Sequence, residues 1–180
     1  MRVIAGKCRS LPLKTPKGSN TRPTQDRIKE TLFNMVNTDI PGAVFVDLFA
    51  GSGQIGIEAL SRGAKKCYFF DKSSEAADCI NSNIRFTHLS ESAKVFKGDV
   101  FSLLDMINED HVDIIFIDPP YEEGLENRLF AELSKKRYID SDTLIILEAS
   151  LKNEISIPGF EVTKVKEYKT NKHVFIRRAI

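Results

Sequence analysis

Val44-Phe45-Val46-Asp47-Leu48-Phe49-Ala50-Gly51-Ser52-Gly53-Gln54-Ile55-Gly56 is an apolar run that turns through glycines into a helical pattern. A run of this composition and length reads as a strand buried on both faces, as in a parallel sheet. Glycines at 51 and 53 let the chain bend sharply and approach a ligand without Cβ collision, and Gly56 permits close helix packing. In open α/β sheets such a loop lies at the carboxyl ends of the strands, where ligands bind. The spacing Gly51-x-Gly53-x-x-Gly56 alone fits a dinucleotide equally well.

Outward from this stretch the same alternation repeats. Strands are expected at Ala43–Leu48, Lys66–Asp71, Lys94–Lys97, Val112–Ile117 and Leu144–Glu148, with helices near 54–62, 74–87, 100–108 and 123–136. Gly63 is placed to stop the first helix and Ser73 or Ser74 to cap the second. This alternation of β-branched strands and helices predicts a parallel sheet covered on both faces. Phe160–Lys166 and His173–Arg178 are strand-like with no room for a helix between them, which predicts an antiparallel hairpin at one edge. The expected fold is therefore α/β and Rossmann-like, with seven mostly parallel strands.

Ahead of this core, Arg2–Ala5 and Ser10–Lys14 read as a small β-hairpin around Gly6-Lys7, and Pro16, Gly18, Ser19 and Asn20 as a loop. Thr24 is placed to cap a helix running to about Asn37. There Ile28, Leu32, Phe33, Met35 and Val36 recur at helical spacing, while Arg27 and Lys29 are expected to face elsewhere. One domain spanning 1–180 is expected, with 1–40 forming a basic hairpin and helix and 41–180 the ligand-binding core.

The 180 residues are 42% hydrophobic and 28% charged, ordinary values for a globular protein. No run approaches the ~18 apolar residues of a membrane span, and the first residues lack the apolar core of a signal peptide. Cys8, Cys67 and Cys79 are odd in number and lack metal-type spacing, which predicts reduced thiols in a cytoplasm. His88, His111 and His173 are scattered, and no metal site is expected. The net charge of +1 is unevenly spread. Residues 1–30 carry eight Lys/Arg against Asp26 and Glu30, or +6, leaving −5 for the rest. A cationic arm on an acidic body suits phosphate contacts, or is simply a solvated basic terminus.

Three carboxylates at successive strand ends narrow the ligand. Asp47, four residues before Gly51, is placed to meet an ammonium group, where a pyrophosphate would not want a carboxylate. Asp71 suits a ribose diol, and Asp99, after Lys97-Gly98, an adenine amine. An amino-acid end, a diol and an adenine are the parts of S-adenosylmethionine. Each aspartate alone could instead be a helix cap. The run Asp113–Ile117 then delivers Asp118-Pro119-Pro120-Tyr121 at a strand end. An aromatic amine is a poor nucleophile because its lone pair enters the ring. A carboxylate and a carbonyl accepting its two N–H bonds can hold it pyramidal and stabilise the charge that develops during methyl transfer. The prolines stiffen that loop, and Tyr121 suits stacking on an extruded base.

With these motifs the chain resembles the class I amino-methyltransferases. Arg2-Val3-Ile4-x-Gly6-Lys7, the stretch Arg22-Pro23-Thr24-x-Asp26-Arg27-x-Lys29-Glu30-Thr31-Leu32-Phe33-Asn34, and Glu58-Ala59-Leu60-Ser61-Arg62-Gly63-Ala64 resemble the bacterial RsmD family in particular. That resemblance implies methylation of the N2 amine of a guanine in 16S rRNA within a small-subunit particle. Donor contacts are expected from Asp47, Phe49, Ala50, Gly51, Ser52, Gly53, Asp71, Lys72, Asp99 and Val100. The amine is expected to be held by Asp118, Pro119, Pro120 and Tyr121, and RNA by Arg9, Arg22, Thr24 and Arg27. Ser10 departs from the family pattern, which usually shows glycine in the hairpin. A monomer is expected, since nothing resembles a coiled coil or a long exposed apolar strand. The same residues leave room for an adenine-N6 or protein-glutamine methyltransferase, a dinucleotide-dependent oxidoreductase, or a non-catalytic RNA-binding module.

Overall fold

A computed structural model of the chain describes residues 1–16, 26–120, 124–153 and 155–179. The order along the chain is α1 (Asp26–Met35), β1 (Val44–Leu48), α2 (Gln54–Ser61), β2 (Lys66–Asp71), α3 (Ser74–Phe86), β3 (Ala93–Lys97), α4 (Val100–Leu103), β4 (Ile114–Ile117), α5 (Leu125–Leu133), β5 (Leu144–Ser150), β6 (Phe160–Glu167) and β7 (Asn171–Arg178). The strands form one sheet in the order β3-β2-β1-β4-β5-β7-β6. The first five run parallel, and β7 and β6 are antiparallel additions at one edge. This is the class I methyltransferase fold.

Strand alternation divides the apolar side chains between two cores. Phe45, Phe69, Phe116 and Ile146 join Ile57, Leu60, Ile80 and Ile84 of α2 and α3 on one face. Val46, Phe70, Ile117 and Leu147 join Leu129, Phe130 and Leu133 of α5 on the other. Both sides of β1, β4 and most of β2 and β5 are therefore dry, which is why these strands read as continuous apolar runs. The outermost strand, β6, is exposed after Phe160. Its exposed positions include Lys164 and Lys166, charges that discourage pairing with another chain.

Several local expectations hold with a physical cause attached. Ser73 caps α3 by accepting from Ala76 N–H at 3.3 Å. A Cβ on Gly56 would sit 2.3 Å from Phe69 Cε1 and 2.6 Å from Cys67 Sγ, so α2 packs on β2 only because residue 56 has no side chain. Cys8, Cys67 and Cys79 are buried free thiols.

Other expectations need correcting. The helix foreseen near 100–108 is four residues long and passes into a 3₁₀ turn, Leu104–Met106. The N-terminal hairpin is not a pair of strands but an isolated bridge, Arg2 to Pro12. Hairpin-type bonds run alongside it, from Val3 N–H to Leu11 O and from Ser10 N–H to Val3 O. Within it Ser10 has φ 70°, in the left-handed region that glycine occupies without strain. The capping position foreseen at Thr24 lies outside the described residues.

Lys29 does not face outward from α1. It is fully buried, its Nζ lying 2.5 Å from Arg2 O and 3.3 Å from Glu58 Oε2. Glu58 also takes Arg62 Nε at 2.8 Å and the N–H groups of Ile4 and Ala5. Ser61 Oγ accepts from Cys8 N–H and donates to Ala5 O. The outer face of α2 is thus a polar socket that clamps the N-terminal arm, while Val3, Cys8, Leu13, Leu32 and Phe33 share the first core.

Candidate active site

All the parallel strands end on one side, and their register brings the motifs together. Leu48 pairs with Phe70 on one side and with Ile117 on the other, so Phe49, Asp71 and Asp118 emerge side by side. They open into a cavity of about 580 Å³ whose lining includes Gly51, Lys72, Asp99, Val100, Pro119 and Pro120. That volume suits a small organic ligand. The glycine loop and the Asp-Pro-Pro segment therefore share one recess. Tyr121 lies outside the described residues.

The loop is held from below. Gly51 N–H donates to Asp71 Oδ2 at 2.9 Å, Ala50 N–H to Phe70 O at 2.9 Å, and Gly53 N–H to Ala50 O at 2.7 Å. Phe49, Gly51 and Gly53 all have positive φ, at 61°, 58° and 77°. For Phe49 this is a strained conformation, worth about 1–2 kcal/mol, located at the cavity wall. Asp71 is shared between loop and helix, since its other oxygen accepts from Ser73 N–H at 2.9 Å. Asp99 accepts from Phe101 N–H and caps α4. For Asp71 and Asp99, capping and ligand-facing roles thus coexist, because both residues also line the cavity.

Asp47 differs from expectation. It shares the parity of Phe45, which points it toward α2, and its Oδ2 accepts from Gly56 N–H at 2.9 Å. It is buried and absent from the cavity wall. Burial pushes its carboxyl well above the usual range despite the Gly56 bond, with Asp118 and Asp71 adding to the rise. The bond to Gly56 fixes the glycine loop on its helix. Ala50, Ser52 and Gly53 likewise build the loop without lining the cavity. Ser52 turns its Oγ to Met1 and its carbonyl to Asn83.

Asp118 is exposed to the cavity, yet the surrounding walls strip much of its water. That desolvation, with the charge of Glu148 beside it, pushes its carboxyl up to about 7. Glu148 was not foreseen. It ends the apolar run of β5, next to the strand that delivers Asp118, and that position is the only sequence signal it has. Arg128 of α5 also lines the cavity, with its guanidinium 3.8 Å above the Phe101 ring. No motif marks it. Of the basic residues foreseen for RNA, Arg9 and Arg27 are exposed, and Arg22 lies outside the described residues.

Residues 1–177 match the family model described as conserved hypothetical protein 95. Ribosomal RNA small subunit methyltransferase D of Haemophilus influenzae is 34% identical over 160 residues, covering 88% of this chain and 83% of that protein. The protein of the same name from Escherichia coli K12 is 33% identical over 153 residues, covering 85% and 76%. The chain belongs to the RsmD family. Among solved structures, the Escherichia coli candidate methyltransferase yhhF superposes with TM-score 0.85 at 28% identity, covering 99% of this chain and 97% of that one. The Haemophilus influenzae candidate methylase HI0767 superposes with TM-score 0.81 at 29% identity, covering 98% and 97%. In this RsmD-family chain the match takes in the arm that docks on Glu58 as well as the sheet.

Proposed function

We propose that the chain transfers a methyl group from S-adenosylmethionine to the exocyclic N2 amine of a guanine in 16S rRNA of the small ribosomal subunit. It would do so as a cytoplasmic monomer. The observation carrying this reading is the shared recess, in which Asp118 and Pro119 open beside Gly51 and Asp71 at the ends of neighbouring strands. The naming of its relatives as small-subunit rRNA methyltransferases supports the RNA substrate.

The residues present suit the donor. Asp71 and Asp99 each keep free lone pairs beyond the backbone bonds they accept, for a ribose diol and an adenine amine. Phe49, Phe70 and Val100 supply apolar wall. The donor contributes a methyl group on a sulfonium. Asp118 accepts one amine N–H and a backbone carbonyl of the proline turn the other, so the nitrogen lone pair turns toward the methyl. As the N–C bond forms and the S–C bond breaks, the nitrogen sheds a proton. Asp118, with its carboxyl near 7, is a matched acceptor. The exposed Arg9 and Arg27, together with Arg22 and Thr24, are assigned to the RNA backbone.

The test is incubation with labelled donor and immature small subunits, followed by nucleoside analysis. Label in N2-methylguanosine is expected. Label in N6-methyladenosine or in protein overturns the substrate assignment. Asp118→Ala is expected to keep donor binding and lose most turnover; unchanged turnover removes the role given to that carboxylate.

A further inference from the structure

Nothing in the Asp-Pro-Pro-Tyr segment by itself distinguishes guanine from adenine, because both carry an exocyclic amine. The neighbouring strand supplies a difference. Ile117 pairs with Leu147 in the parallel β4–β5 ladder, so the next residues, Asp118 and Glu148, leave adjacent strands on the same face. Both line the cavity.

Glu148 is held from behind. Asn171 Nδ2 donates to Oε1 at 2.6 Å, and His173 Nε2 lies 3.3 Å from Oε2. His173 is fully buried, and its Nδ1 lies 3.1 Å from Tyr168 Oη. If Tyr168 O–H donates to Nδ1, Nε2–H donates to Glu148, and both contacts of the His173 ring are satisfied with Glu148 as the acceptor. Tyr168, whose hydroxyl is pushed up to about 12 by burial and by Glu148, keeps its proton for that bond. A carboxylate offers about four acceptor sites, and β7 occupies two.

We infer that Glu148 selects guanine by accepting its N1–H while Asp118 accepts N2–H, so that carboxylates from two neighbouring strand ends meet two adjacent donors. This deepens the proposed methylation of a base amine and rests on it. Adenine presents a lone pair at N1 beside its amine. Placed in the same site, that lone pair faces a carboxylate and leaves it unpaired, the kind of mismatch that discriminates strongly in a buried site. The alternative is that Glu148 only ties β7 to the sheet.

The experiment uses immature small subunits carrying either guanine or 2-aminopurine at the methylated position, once nucleoside mapping has located it. 2-Aminopurine keeps the N2 amine but has a lone pair at N1. The wild type is expected to favour guanine by roughly tenfold or more in kcat/KM. Glu148→Gln, whose amide can donate to N1, is expected to shrink that ratio by roughly tenfold while donor binding and melting temperature stay close to wild type. Because 2-aminopurine also lacks O6, the change in ratio, unlike the ratio itself, isolates Glu148. Wild-type rates within twofold of each other overturn the inference, as does an unchanged ratio in Glu148→Gln. If Glu148→Gln does not fold, Glu148→Asp, which draws the carboxylate back by one methylene, must lower the guanine preference. Absence of guanine methylation by the wild type is a different result, because it sinks the underlying reading and not only this extension of it.

Discussion

The Lys29 ammonium lies 3.3 Å from Glu58 Oε2, and neither side chain reaches solvent. Burial pulls the Lys29 pKa down and Glu58 pulls it back up. Lys29→Ala leaves a carboxylate in the dry interface with Arg62 as its remaining ionic partner. A loss of about 3–5 kcal/mol is expected, as for other broken buried pairs. Urea unfolding measures it, and a loss below 1 kcal/mol would show that the arm is not clamped through this pair.

Asp118 sets stability against activity. Its folded carboxyl titrates near 7, against 3.8 for the free side chain, so between those values the folded state holds the extra proton. Stability from this group is therefore lost as pH rises through about 7. Asp118→Asn is expected to melt higher than wild type at pH 8, with the gap closing as pH falls toward 4, and to be nearly inactive. A lower melting temperature at pH 8 would contradict the desolvated setting of this carboxylate.

Wild-type turnover is expected to rise with pH through about 7, because in the proposed mechanism only the ionised Asp118 accepts from the amine. A profile of kcat against pH under saturating donor checks this, and a flat profile between pH 6 and 8 counts against Asp118 as the acceptor.

Ser10 carries its turn at φ 70° and keeps its N–H bonded to Val3 O. Ser10→Gly is expected to relieve roughly 1 kcal/mol of strain, partly offset by the greater freedom of an unfolded glycine. Thermal melting should therefore show an unchanged or slightly raised midpoint. A clear drop would mean that the serine side chain makes an interaction worth more than the strain.

Arg9 and Arg27 are exposed on the arm and on α1. Each replacement by alanine is expected to weaken RNA binding and to flatten the slope of log K against log salt by roughly one unit or less for each phosphate no longer neutralised. Titrations at several salt concentrations decide this. Equal slopes for wild type and both variants would leave the basic segment a solvated face.

Much of the fold was legible because period and punctuation act locally. The all-apolar run before Gly51, the cap at Ser73 and the paired runs around Tyr168 each specify their own element, and the parallel order follows from alternation with helices. Asp118-Pro119-Pro120 and Gly51 could be named as candidate site residues because their types and spacing are themselves unusual, and they line the same cavity. What only the tertiary structure decided are properties of juxtaposition. Strand parity turned Asp47 beneath α2, the docking of the arm buried Lys29 against Glu58, and the β4–β5 register set Glu148 beside Asp118. A charged residue carries no sign of its future partner in its own neighbourhood. Whether it is solvated, paired or aimed at a ligand is set by chain segments dozens of residues away, through the cost of burying a charge alone.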